Sequence, residues 1–330
     1  MSRTAPHSSR VRRITLDAAG LTLSGLLAEP AGGAPRAVVV ALHGGGMTAG
    51  YFDGQAEPQL SLLTLGASLG LTVLAVDRPG YGRSAPALPE GQSLAEQSDT
   101  LHAALDTFTD RYETGAGLFL LAHSYGGKLA LTAAADDGRG ERFTGLDVSG
   151  CGHRYAVTAD ELPGSHGRVD RRRSWGPLRL YPPGTFRCSQ DVVAPMPLRE
   201  RRELVGWPDR LPGLAARIRV PVRLTFSEYE SLWRHDDEAL AEIRALFGAA
   251  RSHGAVVERQ RGAGHNISLG WAARAYHLRA LAFLEECLTT RHVATRHDTG
   301  QPGTGRHGTC QDLTSPRLAA QVPPTATAPC

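Results

Sequence analysis

Phe119-Leu120-Leu121-Ala122-His123-Ser124-Tyr125-Gly126-Gly127-Lys128-Leu129-Ala130 is the stretch that decides how this chain is read. An apolar, strand-forming run enters a small-Xaa-Ser-Xaa-Gly turn, and a helix-forming run leaves it. Such a turn is a nucleophile elbow: it lifts a serine hydroxyl clear of the sheet and aims the first amides of the next helix at whatever the hydroxyl attacks. Ala122 and Gly126 must be small because neighbouring chain crowds the bend. A serine that merely caps an ordinary helix would need only the local pattern, so the surrounding segments decide between the two.

Upstream, 14–16 and 21–27 flank an Ala-Ala-Gly turn and read as an antiparallel hairpin. Short apolar runs of strand length then recur at 37–42, 71–76, 117–121, 144–149, 220–226 and 255–258. Between them, 93–112, 231–247 and 271–288 carry apolar residues at helical spacing, as at Leu94, Leu101, Leu105 and Phe108. Strands alternating with helices predict an α/β fold, a mostly parallel sheet with helices on both faces. The alternation breaks at 151–213, where prolines, glycines and arginines dominate, as in Arg171-Arg172-Arg173 and Arg199-Glu200-Arg201-Arg202. The expected organisation is therefore a disordered N-terminus (1–12), a core in two parts (13–150 and 214–290) split by a lid or cap insertion (151–213) after the sixth strand, and a disordered tail (291–330) lacking aromatics.

A chain of 330 residues, 41% of them hydrophobic, can bury a sizeable core. The net charge of +3, from 36 basic and 33 acidic residues, does not suggest nucleic acid. The cysteines Cys151, Cys188, Cys287, Cys310 and Cys330 have neither zinc-site nor disulfide-framework spacing. No metal and no cofactor is expected from this pattern, and free thiols in a reducing compartment are. The apolar runs are strand-sized, so no membrane span is expected, and without a signal-like segment the chain is read as cytoplasmic.

Four motifs follow four strands in order: His43-Gly44-Gly45-Gly46, Asp77-Arg78-Pro79-Gly80-Tyr81-Gly82-Arg83-Ser84, the elbow, and Gly262-Ala263-Gly264-His265-Asn266. As a set they make the chain resemble the α/β-hydrolase fold family over roughly 12–288. The resemblance implies Ser124 as nucleophile, His265 as base, and an oxyanion hole from the backbone amides of Tyr125 and Gly45, with Gly46 a lesser contributor. It implies a carboxylate a few residues past a late strand. If Ser227 takes the usual glycine position, Glu230 takes the acid's; Glu228 and Asp147 remain alternatives. His43 and His123 are expected to hold loops by hydrogen bonds, and the Asp77–Ser84 stretch to shape a turn beside the site. The elbow departs from the family in having Ala122 where glycine is commoner.

A serine hydrolase acting on a small-molecule ester or thioester through an acyl-enzyme is the function this set implies. An acyltransferase or carbon–carbon bond hydrolase on the same scaffold is the alternative, and a binding protein that kept the pocket is a third. In the insertion, Trp175, Tyr181, Phe186 and Trp207 are candidates to line an apolar substrate pocket. Its arginines read as a solvated basic face, or as a surface for an anionic or carrier-bound acyl donor.

Overall fold

The computed structural model describes residues 11–54, 56–162, 175–188, 192–248 and 254–298. The hairpin forms as expected, β1 (Arg12–Ala18) antiparallel to β2 (Leu21–Ala28), and Ala19 and Gly20 turn the chain at φ of +54° and +88°. Arg12, at the edge of the expected disordered terminus, already belongs to β1; residues 1–10 lie outside the described residues. Six parallel strands follow: β3 (Val38–Leu42), β4 (Thr72–Val76), β5 (Leu118–His123), β6 (Phe143–Ser149), β7 (Val222–Tyr229) and β8 (Val256–Gly264). The sheet order is β1-β2-β4-β3-β5-β6-β7-β8. The chain steps from β3 to β4, then returns to the other side of β3 as β5. In sheets of this kind, sites form outside the carboxyl ends of the strands where the order reverses.

The α-helices with full bounds among the described residues are α1 (Leu62–Ser68), α2 (Leu94–Arg111), α3 (Tyr125–Asp136), α4 (Thr185–Cys188), α5 (Leu198–Glu203), α6 (Trp207–Ala215), α7 (Asp237–Gly248) and α8 (Ala273–Asp298). Strand alternation divides the apolar side chains between two cores. Val38, Val40, Leu42, Leu118 and Leu120 pack on α2 and α3. Val39, Ala41, Phe119 and Leu121 pack on α1 and α8. Burial on both faces is why these strands read as unbroken apolar runs. Ser93 opens α2 with a capping box to Glu96, satisfying amides at the end of the helix.

Two expected boundaries are corrected. The chain does not leave the fold at 291: α8 continues to Asp298, since no glycine or proline interrupts it before Gly300, and the Arg291 guanidinium donates to Glu141 O. Residues 299–330 lie outside the described residues. The boundary at 213 falls inside α6, whose Leu211 and Ala215 are buried core residues. Within the β6–β7 connection, 163–174 and 189–191 are not described, so Arg171–Arg173 lie outside the described residues. Among the described residues no helix is long and apolar enough to cross a membrane.

Candidate active site

Ser124 follows β5 at φ +53°, ψ −115°, a conformation L-residues disfavour. Holding a non-glycine residue there costs of order 1–3 kcal/mol, and the surroundings must impose it. They do so through Ser124 N donating to Ser149 O at 2.8 Å and Gly127 N donating to Ser124 O at 3.0 Å. A Cβ at Gly126 would collide with the carbonyl oxygens of Leu42 and His43, so the next strand's exit is pressed against the bend. Ala122, with its extra methyl, is fully buried and accommodated.

Parallel strands deliver their carboxyl ends to one edge, and two further motifs arrive beside Ser124. His265, after β8, places Nε2 3.1 Å from Ser124 Oγ and Nδ1 2.8 Å from Glu230 Oε2. With its proton on Nδ1 donated to Glu230, the ring leaves Nε2 to accept the serine hydroxyl. Ser227 ties the end of β7 to this turn by donating its hydroxyl to Gly264 O at 2.7 Å. Glu230 is buried, and burial alone would push its carboxyl up; the His265 charge and hydrogen bond, with the Leu232 amide at 3.0 Å, hold it below the usual carboxylate range. The other two acids lie elsewhere. Glu228 accepts from Gly262 N at 2.7 Å on the surface. Asp147 is ion-paired with Arg223 and accepts from Tyr276 Oη at 2.8 Å.

The glycine loop after β3 lies against the elbow, for a Cβ at Gly44 would sit 3.1 Å from Ser124 Cβ. Gly46 donates its amide to Tyr81 Oη at 3.0 Å, so that group is spoken for within the fold. His43 accepts from Arg78 N at 3.1 Å and makes a 2.8 Å bond through Nδ1 to Gly44 O. His123 stacks on Tyr51 and bonds Ser149 Oγ at 3.1 Å. Burial first, then a neighbouring basic group, the Arg78 guanidinium for His43 and the His265 ring for His123, pushes both imidazoles well below the usual histidine value.

The aromatic residues of the β6–β7 connection separate. Trp175, Tyr181 and Phe186 form one cluster, and Tyr181 Oη donates to Trp175 O at 2.6 Å beside Gly264. Trp207 does not join them, which corrects its expected place on a pocket wall. It is fully buried, with Nε1 donating to Gly152 O at 2.8 Å, because a buried indole N–H requires an acceptor.

Trp207 instead helps enclose Lys128, one turn past Ser124. The Lys128 ammonium lies 5.3–5.7 Å from the ring centroids of Tyr125, Tyr155, Trp207 and Trp233, and donates to Tyr155 Oη at 2.8 Å. Burial lowers its pKa to about 8. Among the described residues there is no group of three or more His, Cys, Asp or Glu that could hold a metal ion.

A family model described as "Alpha/beta hydrolase family" matches residues 39–281, from β3 into α8. The chain belongs to the alpha/beta hydrolase family. No curated protein matches it. Solved structures similar to this alpha/beta hydrolase include a soluble variant of monoglyceride lipase from Saccharomyces cerevisiae in complex with a substrate analog (12% identity, TM-score 0.64, covering 86% of this chain and 98% of that one). A thermostable carboxyl esterase from Bacillus coagulans in complex with glycerol is similar at 14% identity and TM-score 0.62, covering 85% and 99%. Est1E from Butyrivibrio proteoclasticus follows at 14% and 0.54, covering 84% and 99%. At these identities the likeness is one of fold.

Sequence reasoning missed two features of this alpha/beta hydrolase. Lys128 hides in a run read simply as helix-forming. Glu200 hides in an arginine-rich run read as solvated, yet it is fully buried against Arg78. The single acid flanked by arginines was the available signal, but none of its partners adjoins it in sequence.

Proposed function

We propose that this alpha/beta hydrolase is a serine hydrolase that cleaves a carboxylic ester or thioester through an acyl-enzyme. The carrying observation is the hydrogen-bonded line Ser124 Oγ, His265 Nε2, His265 Nδ1, Glu230 Oε2, with spans of 3.1 and 2.8 Å. These are reaches at which a base takes a hydroxyl proton.

Ser124 Oγ attacks the substrate carbonyl carbon while its proton passes to His265 Nε2. Glu230 holds the ring in the tautomer that can accept it and stabilises the imidazolium. The amides of Gly45 and Tyr125 receive the tetrahedral oxyanion; removing one such donor typically costs about 3–4 kcal/mol of barrier. Collapse expels the alcohol or thiol, which takes the proton from His265. Water then repeats the sequence on the acyl-enzyme, releasing the acid and restoring the serine. In this reading the β6–β7 connection is the lid, and Trp175 and Tyr181 border the site beside His265.

The test uses a panel of acyl esters and acyl-thioesters of graded length together with a serine-directed phosphonate. Wild type is expected to turn over members of the panel and to take one phosphonate equivalent, and Ser124→Ala to lose both. A wild type inert to the panel and the phosphonate overturns the proposal. Incorporation of solvent oxygen into the acid product separates hydrolysis from acyl transfer.

A further inference from the structure

Residues 192–196 of the β6–β7 connection grip the glycine loop. Two backbone bonds join them, Ala194 N to Gly46 O at 2.9 Å and Thr48 N to Val192 O at 2.8 Å, with Met47 and Val193 bridged between. Met196 covers Gly45 so closely that a Cβ there would meet its Cε at 3.0 Å. Helix α5 then sends Glu200 inward. Its carboxylate takes Arg78 Nη1 at 2.5 Å and Nη2 at 3.2 Å, Gln97 Nε2 at 3.2 Å and Tyr81 Oη at 2.7 Å. Arg78 and Glu200 side chains are both fully buried.

The partners of Glu200 are the groups that hold the loop. Arg78 donates Nε to His43 O at 2.8 Å and Nη2 to Gly44 O at 3.3 Å, and its guanidinium lies 4.8 Å from the ring centroid of Tyr125. Tyr81 Oη accepts the Gly46 amide while donating to Glu200. Three residues on, Glu203 accepts from Tyr125 Oη at 3.1 Å and from Leu94 N at 2.8 Å. Residues three apart share a helix face, so one face of α5 reaches both the groups that hold the glycine loop and the residue that follows Ser124.

We propose that α5 is a brace: Glu200 is a positioning residue that, through Arg78 and Tyr81, fixes the backbone of the glycine loop 43–46 beside Ser124. A buried charge pair with every neighbour satisfied has one arrangement, so it sets the loop's position and not merely its attachment. The proposal rests on the reading above in one respect only, that the loop so fixed supplies an oxyanion donor.

The test has two arms. Hydrogen exchange is followed by mass spectrometry in the intact chain for wild type, Glu200→Gln, Tyr81→Phe and Arg199→Gln. Tyr81→Phe removes one hydroxyl and leaves the Arg78–Glu200 pair, so it carries the test if Glu200→Gln does not fold. Arg199→Gln cuts only the exposed pair with Glu96. Peptides covering 43–48 are expected to exchange at least about tenfold faster in the Glu200 and Tyr81 variants, with β5 peptides and the Arg199 variant unchanged. In the second arm, kcat on an activated ester is expected to fall about 10–100-fold in both variants with KM within threefold, the mark of a donor used only in the transition state. Unaltered loop exchange, or equal acceleration in loop and β5, overturns the brace. Loop-selective acceleration in a protein whose wild type hydrolyses no ester leaves the brace standing and removes the ester reading instead.

Discussion

Three carboxylates are candidates for one imidazole, and position along the strands decides which meets it. Glu230 begins where β7 ends, its amide turned back to Ser227 O at 3.1 Å, and the longer glutamate side chain spans the remaining gap to His265. If that bond orients the ring, Glu230→Gln, which presents the wrong hydrogen-bonding partner to Nδ1–H, should lower kcat by about 10³–10⁴-fold. Glu228→Gln should stay within about twofold, because Glu228 binds only the Gly262 amide. Steady-state rates of the two variants on one ester check this. Comparable losses in both would remove Glu230 from the role. The elbow, the glycine loop and His265 were legible in the sequence because each is a local pattern. The acid was legible only as Glu230 ahead of two alternatives, because the choice depends on how two strand ends face one another.

Helix α3 does two things at once. Its first turn carries the elbow, and its second places Lys128 among four aromatic rings, with no carboxylate among the described residues bonded to it. An ammonium taken out of water loses hydration that cation–π contact replaces only in part. The unfolded chain holds this proton up to about pH 10.5, whereas the folded chain releases it near 8. Between those values the unfolded state binds more protons, so wild-type stability rises with pH, and the full cost of burial is present below about pH 8. Lys128→Met should therefore gain most over wild type near neutrality. That advantage should narrow by about 2–3 kcal/mol as the pH approaches 10. Urea unfolding at the two pH values measures it, and a pH-independent difference would show that the ammonium is not strained. The helix-forming run after the elbow announced α3, but not which neighbours would cover its polar residue, since Tyr155 and Trp207 come from the β6–β7 connection and Trp233 from the turn after β7.

At the scale of the molecule, two cores share one sheet, and three histidines are sealed in or beside them. His43, His123 and His277 are all buried, and all are pushed down by desolvation, His277 to about 3. Below about pH 6.5 the unfolded chain takes up protons that the folded chain refuses, so stability should fall steeply as pH drops. Each such proton contributes up to about 1.4 kcal/mol per pH unit. His277 makes a single 3.0 Å side-chain bond to Ser268 Oγ, away from the candidate triad. His277→Gln, which keeps a donor for that bond, should flatten the slope of unfolding free energy between about pH 6 and pH 4 by roughly one proton. Chemical denaturation across that range tests it; an unchanged slope would mean that His277 is protonated in the fold.

The sequence alone determined the fold class, the succession of strands along the chain and the positions of the elbow, glycine loop and late histidine. Backbone preference and alternating burial act over a few residues, and those are written locally. Only the tertiary structure decided that Glu230 and not Asp147 faces His265, that Trp207 is interior, and that Glu200 leaves its arginine run to meet Arg78. Buried charges choose partners by geometry across the sheet, where a displacement of one side-chain length separates a satisfied pair from an isolated ion. No short-range pattern encodes that distance.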